Sequence, residues 1–289
     1  MLTGVEVRSV EVEFFDGAMG TVLQSKGLKL GEMPELFNFT HSQLIESVHC
    51  AYLEAGADYI TTNTFGANAY RMQTTNYTVE EMITKAVTLA KKATSKVGRG
   101  KVVLDIGSTG QFIEPVDHVR FEQAYEIFKE QVLAGEKAGA DLILFETFTG
   151  LDELKAGVMA AKENTKLPIY CTMTFDANGR TFVGTSVESM VLTLEALGVD
   201  ALGVNCGLGP KVLKPTVEQI VALSSIPVIV QPNAGLPRIV EGRAQYDITP
   251  EIFAEYMTYF AQIGVSILGG CCGTNPEYIR YMIQCIKGM

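Results

Sequence analysis

Four stretches of the chain share one phrase: EAGADYITTNTF (54–65), KAGADLILFETF (137–148), ALGVDALGVNCG (196–207) and QIGVSILGGCCG (262–273). In each, a helix-forming run stops at Gly56, Gly139, Gly198 or Gly264, and an apolar run begins one or two residues later. Glycine adopts the left-handed backbone just past a helix at little cost, so the phrase predicts a helix end followed directly by a strand. Four further runs fit strands without that glycine: VEFFDG (12–17), KVVLDIGS (101–108), PIYCTMTF (168–175) and PVIVQPNAG (227–235).

Eight strands would then begin near residues 13, 58, 101, 141, 168, 201, 227 and 265. Their spacing averages about 36 residues, room for one strand, one helix and two loops. Helix starts fall between them. Thr78-Val-Glu-Glu81 and Thr216-Val-Glu-Gln219 read as capping boxes. Thr249-Pro250 and Asn275-Pro276 place a capping side chain before a proline at the first helical position. Regular alternation of apolar strands with helices implies a parallel sheet covered by helices, and eight units in one domain imply a closed (βα)8 TIM barrel. An open doubly wound sheet is the main alternative, but no GxGxxG follows the first strand, and Gly17-Ala-Met-Gly20 is only loosely similar.

Composition narrows the function classes. The 289 residues suit one domain, 1–289, and no linker or low-complexity segment divides them. With 23 basic and 33 acidic residues the net charge is −10, and no basic block could follow a phosphate backbone, so nucleic acid is not expected as a partner. No apolar run approaches a membrane span, and the opening MLTGVEVRSVEVEFF carries acids where a signal peptide would be basic and then apolar. A soluble, cytoplasmic protein is expected. Six irregularly spaced cysteines (50, 171, 206, 271, 272, 285) are too sparse for a disulfide scaffold and read as reduced thiols.

In such barrels the chemistry gathers where strands end. Those ends carry Asp16, Asn63, Asp105, Glu146, Asp176, Asn205-Cys206, Asn233 and Cys271-Cys272. Cys206 and the cysteine pair end the sixth and eighth strands, close enough to share one ion. Three thiolates without a histidine suit a soft or borderline cation, with tetrahedral zinc favoured. Adjacent residues of a regular strand face opposite ways, so the flanking glycines are expected to bend the backbone until both sulfurs turn inward. Cys50, Cys171 and Cys285 read as packing residues, and His41, His49 and His118 as surface or packing residues without metal-ligand spacing. Asp105 and Asp176 admit a plain reading as loop-start acids, and Asn63 and Asn205 as partners of local backbone. Glu146 and Asp16 resist it, since an unpaired carboxylate at a barrel mouth is costly. No Schiff-base lysine or hydrolytic triad stands out.

With GGCCGT, NCG, FDGAMGT, TNTFGA, FETF, MTFD and QPNAG, the sequence resembles the homocysteine S-methyltransferase family over nearly its whole length. Within it, the likeness is to the N-terminal homocysteine-binding module of cobalamin-dependent methionine synthases. The resemblance implies zinc held by Cys206, Cys271 and Cys272, with the homocysteine sulfur completing the tetrahedron. It further implies that Glu146 binds the substrate ammonium, that Asp16 helps bind the amino-acid head group, and that the Gly17-Ala18-Met19 amides receive its carboxylate. Asn233 would fill the fourth zinc position when substrate is absent. Relatives use methylcobalamin, betaine or S-methylmethionine; QPNAG and GRAQYDITPEIF favour methylcobalamin as donor. A chain ending at Met289 has no room for folate, cobalamin or reactivation modules, so an excised module or a subunit meeting a separate corrinoid protein is expected. The alternatives are a corrinoid-linked methyltransferase acting on another thiol or selenol, and a zinc-binding, non-catalytic subunit of a corrinoid complex.

Overall fold

The computed structural model describes residues 11–29, 31–116, 118–240 and 243–288. The opening decapeptide, part of the stretch read as lacking a signal peptide, lies outside them. The strands are β1 (Glu13–Phe14), β2 (Tyr59–Thr61), β3 (Lys101–Ile106), β4 (Leu142–Phe148), β5 (Ile169–Met173), β6 (Ala201–Asn205) and β7 (Val228–Gln231). A short antiparallel hairpin, β8 (Arg238–Val240) with β9 (Arg243–Gln245), precedes the last barrel strand, β10 (Ile267–Leu268). The helices are α1 (Gly20–Ser25), α2 (Phe37–Thr40), α3 (Ser42–Ala55), α4 (Ala69–Met72), α5 (Val79–Val97), α6 (Phe121–Ala138), α7 (Leu151–Asn164), α8 (Val187–Ala196), α9 (Pro210–Leu223), α10 (Pro250–Gln262) and α11 (Pro276–Lys287).

All pairings in the eight-stranded sheet are parallel, in the order β1-β10-β7-β6-β5-β4-β3-β2. A parallel bridge from Phe15 to Tyr59 and the Asp58 amide donating to the Phe14 carbonyl (2.7 Å) close the ring between β1 and β2. The fold is a (βα)8 TIM barrel. All four phrase glycines, Gly56, Gly139, Gly198 and Gly264, take positive φ behind their helices. Thr78 and Glu81 form the expected capping box on α5, and Thr249 and Asn275 cap α10 and α11. Thr216 does not start a helix. α9 begins at Pro210, whose missing N–H costs nothing there, and runs through Pro215, so Thr216 is buried mid-helix beside Leu213, Val217 and Ile220. No helix among the described residues is long and apolar enough to cross a membrane.

The two-residue period of a strand sorts the core into two layers. Phe15, Tyr59, Val103, Leu142, Leu144, Ala201, Ile229 and Ile267 fill the lumen, whereas alternate residues such as Leu104, Phe145, Val204 and Val230 pack against the helices. Following the inward positions toward the strand ends gives Thr61, Asp105, Glu146, Thr172, Asn205 and Gln231. A polar layer therefore caps an apolar lumen. Inside it, β6 passes β7 closely at Gly203, where any Cβ would run into the Ile229 carbonyl oxygen. Gly203→Ala is expected to cost about 3 kcal/mol or more, because backbone rather than a side-chain tip must move. A urea midpoint within error of the parent's would contradict this.

Candidate active site

Cys206 follows β6 in the left-handed region (φ 58), an uncommon conformation for a residue with a Cβ. Its amide donates to the Gln231 carbonyl at 3.0 Å, which ties the turn to the end of β7. The cysteine pair lies beyond the end of β10. The Cys271 amide donates to the Pro232 carbonyl (2.9 Å), the Ala234 amide to the Cys272 carbonyl (2.9 Å), and Thr274 Oγ1 to the Cys271 carbonyl (2.8 Å). Of the neighbouring glycines only Gly273 has positive φ (84). Gly269 and Gly270 provide room instead of a bend: a Cβ would come 2.7 Å from Phe15 Cβ and 2.5 Å from Thr274 Oγ1, respectively.

The outcome is convergence. The sulfurs of Cys206, Cys271 and Cys272 all lie within 4.8 Å of one another, and Cys206 and Cys272 are 4.0 Å apart. Tetrahedral zinc with Zn–S near 2.3 Å requires sulfurs about 3.8 Å apart, so the cluster needs little adjustment to fit that ion. Among themselves the thiols share protons unevenly. Hydrogen bonds from Cys206 and Cys271 pull Cys272 down to about 3, whereas hydrogen bonding to Cys206 and Cys272, together with burial, holds Cys271 well above the usual thiol range.

Three carboxylates share the mouth. Asp16 is buried, accepting from the Thr61 amide (2.8 Å) and the Thr61 hydroxyl (3.2 Å); burial still raises its pKa well above the carboxylate range. Glu146 is pushed up to about 8, first by burial and then by the charge of Cys206. Asp105 is raised by burial and by Glu146, Asp16 and Glu35, and its Oδ1 is buried without a partner. Asn205 joins the acids to the sulfurs. Its Nδ2 donates to Thr147 Oγ1 (2.8 Å) and Glu146 Oε2 (3.2 Å) and approaches Cys271 Sγ (3.9 Å), while its Oδ1 accepts from the Thr147 amide and the Thr172 hydroxyl (both 2.9 Å).

Other expected residues fall around this centre. Asn233 lies between two residues bonded to the cysteine loop, is buried, and leaves its Oδ1 without a partner. In the Gly17-Ala18-Met19 turn, the Ala18 amide is already spent on Thr274 Oγ1 (3.1 Å), so the carboxylate-binding expectation narrows to the Gly17 and Met19 amides. A Cβ on Gly17 would come 2.6 Å from Thr274 Oγ1, so that glycine also serves close packing. Asp105 and Asn205, given a plain reading in the sequence, lie at the same strand ends, Asn205 beside Glu146 and Cys271 and Asp105 near Glu146 and Asp16. Two-residue spacing from the lumen residues Val103 and Gly203 is the sign that could have found them. Cys50 and Cys171 are buried, but Cys285 is exposed, because α11 turns that face outward. Buried His49 is lowered to about 4 by desolvation and belongs to the packing of α3. A cavity of about 1270 Å³ at the opposite end of the barrel, lined by Glu13, Tyr59 and Lys101, contains none of the thiols.

A family model described as homocysteine S-methyltransferase matches residues 13–286. The chain belongs to the homocysteine S-methyltransferase family. Among curated proteins, methionine synthase of Mycobacterium tuberculosis is 32% identical over 99% of this chain, and that of Mycobacterium leprae 30% identical over 96%. The chain spans about a quarter of each of these relatives, 25% and 24% of their lengths. Among solved structures, the homocysteine methyltransferase MmuM of Escherichia coli superposes with a TM-score of 0.80 in its oxidized form and 0.79 in its metallated form. Each is 23% identical and matches 94% of this chain and 95% of that one, which shows a shared fold.

Proposed function

We propose that this family member, read as one homocysteine-binding domain over 1–289, transfers a methyl group to the sulfur of homocysteine and forms methionine. The observation that carries the reading is the convergence of three cysteine sulfurs beside the carboxyls of Asp16, Asp105 and Glu146, which have no cationic side chain bonded to them among the described residues. Cys206, Cys271 and Cys272 would hold zinc, and Asn233 would lie near its fourth position. When bound, zinc supplies a means of keeping a substrate thiol as thiolate at neutral pH, where a free thiol of pKa about 8.5 is mostly protonated.

The chain's own residues do the rest. Glu146, aimed by Asn205, and Asp16, fixed by Thr61, receive the ammonium of the amino acid. The Gly17 and Met19 amides are available to its carboxylate. Held at that end, the substrate has its sulfur directed at the thiolate cluster, which leaves one face open to an incoming methyl group. The sulfur donates an electron pair to the methyl carbon, the bond from that carbon to its leaving group breaks, and a thioether results.

Methylcobalamin, carried by another module or a separate corrinoid protein, is the proposed donor. Around the mouth, loops after β2, β3, β5 and β7 present Phe65, Val116, Phe182 and Leu236 to solvent, Phe182 being 82% exposed. Such an open, apolar rim supports a bulky, docked donor better than a small one that must be enclosed. The longer methionine synthase relatives support additional modules. Free thiols support a reducing, cytoplasmic setting.

Zinc-loaded protein given homocysteine should form methionine with methylcobalamin and not with betaine or S-methylmethionine. Methionine from either small donor would overturn the donor assignment. Failure with all three, while another thiol or a selenol is methylated, would replace homocysteine as acceptor.

A further inference from the structure

Resting on the homocysteine reading, we infer that Asp105 is the main carboxylate anchor for the substrate's α-ammonium and the residue that makes the site demand an amino-acid thiol. The three acids at the mouth are not equally free. Both oxygens of Asp16 accept from Thr61, and Glu146 Oε2 accepts from Asn205. Asp105 is only 6% exposed, and its Oδ1 is buried with no donor at all. Its backbone is fixed on both sides, the amide donating to Thr62 Oγ1 (3.1 Å) and the carbonyl accepting from Thr64 Oγ1 (2.7 Å). The side chain therefore has little freedom to swing out to water.

Its direction follows from strand parity. Val103 fills the lumen, so Asp105, two residues on, projects into the polar layer above it. The charges acting on it are those of Glu146, Asp16 and Glu35, all of the same sign. A buried, unpartnered carboxylate facing other carboxylates is retained at a substrate site when the ligand supplies the missing donors. An ammonium has three N–H donors, enough to meet Asp105 Oδ1 and still reach Glu146 and Asp16. A thiol lacking the amino group would leave Asp105 Oδ1 without a donor.

The test is calorimetry on zinc-loaded protein with homocysteine and with 4-sulfanylbutanoate, the same acceptor without its amino group. The wild type should bind homocysteine far more tightly. Asp105→Asn, close to isosteric, should weaken homocysteine binding roughly 10- to 100-fold, as loss of a charge-assisted hydrogen bond implies, and alter 4-sulfanylbutanoate binding less than about threefold. Zinc content should hold at the wild-type level, and the ligand-free variant should melt no lower than the wild type, because a like charge has been removed. Asp105→Ser should show the same selective loss. Equal weakening of both acceptors, or unchanged homocysteine binding in either variant, would overturn the role of Asp105 alone. A wild type that binds neither acceptor would refute the homocysteine reading and this inference with it.

Discussion

If the three thiols hold zinc as proposed, Cys206→Ser is expected to abolish zinc binding and lower methyl transfer to homocysteine at least ~10³-fold. At neutral pH a free thiol of pKa about 8.5 is only a few per cent ionised, so loss of thiolate formation by itself accounts for about 30-fold. The larger share comes from position, since fixing two reactants in line is worth effective molarities of roughly 10⁵ M or more. A serine hydroxyl is too weak an acid to replace the third thiolate, and two remaining cysteines do not close the site. The fold should survive the change. Cys206 is held by its backbone, through its amide to Gln231 and through the Leu208 amide donating to its own carbonyl (2.7 Å), and serine keeps both bonds. Metal analysis and methionine formation should therefore collapse together while the melting temperature of metal-free protein shifts little. Wild-type activity in the variant, or one zinc retained per chain at full occupancy, would sink the assignment.

The parts of this molecule written in local backbone chemistry were the legible ones. Gly56, Gly139, Gly198 and Gly264 mark helix ends because a left-handed residue is needed at one place, and the apolar runs after them report burial on both faces. The cysteine triad was legible because two of its members are adjacent and the third follows an equally apolar strand. What local chemistry left out depends on contacts distant in sequence. The Ala18 amide is taken by Thr274, 256 residues away, and no short motif records that. Asp105 resembles an ordinary acid at a loop start until ring closure sets it against Asp16 and Glu146. Thr216 carries a capping-box pattern, yet the buried face that includes Leu213 and Val217 extends the helix back to Pro210.

Asn205→Ala is expected to be the most damaging change at a position that touches no metal, because one amide holds four groups. Thr147, next to Glu146, is a β-branched residue at φ 64, a conformation costing about 1–3 kcal/mol. Asn205 clamps it from both sides, accepting from its amide and donating to its hydroxyl. The register of β4 against β5 shifts between Phe145 and Phe148, around this same kink. Without the clamp, Thr147 relaxes toward extended backbone and Glu146 swings away from the mouth, while Thr172 Oγ1 loses its acceptor. Stability should fall by about 3–5 kcal/mol in urea titrations, and kcat/KM for homocysteine roughly 10- to 100-fold. Asn205→Asp separates clamping from charge. It keeps the acceptor for Thr147 and Thr172 but turns the donor 3.2 Å from Glu146 Oε2 into a second carboxylate oxygen. Burial and Glu146 would raise the folded-state pKa of that new acid above its unfolded value near 3.9. The folded variant then binds more protons than the unfolded chain, so its stability relative to wild type is greatest below about pH 4 and is lost as pH rises through the folded value. Asn205→Asp should therefore approach wild-type stability in acid and fall away toward neutrality, whereas the deficit of Asn205→Ala should narrow as pH rises from about 4.5 toward 8, because burial holds Glu146 up at about 8 in the wild type and the variant releases it. Parallel pH profiles for the two variants would show that the Asn205–Glu146 contact does not carry the effect.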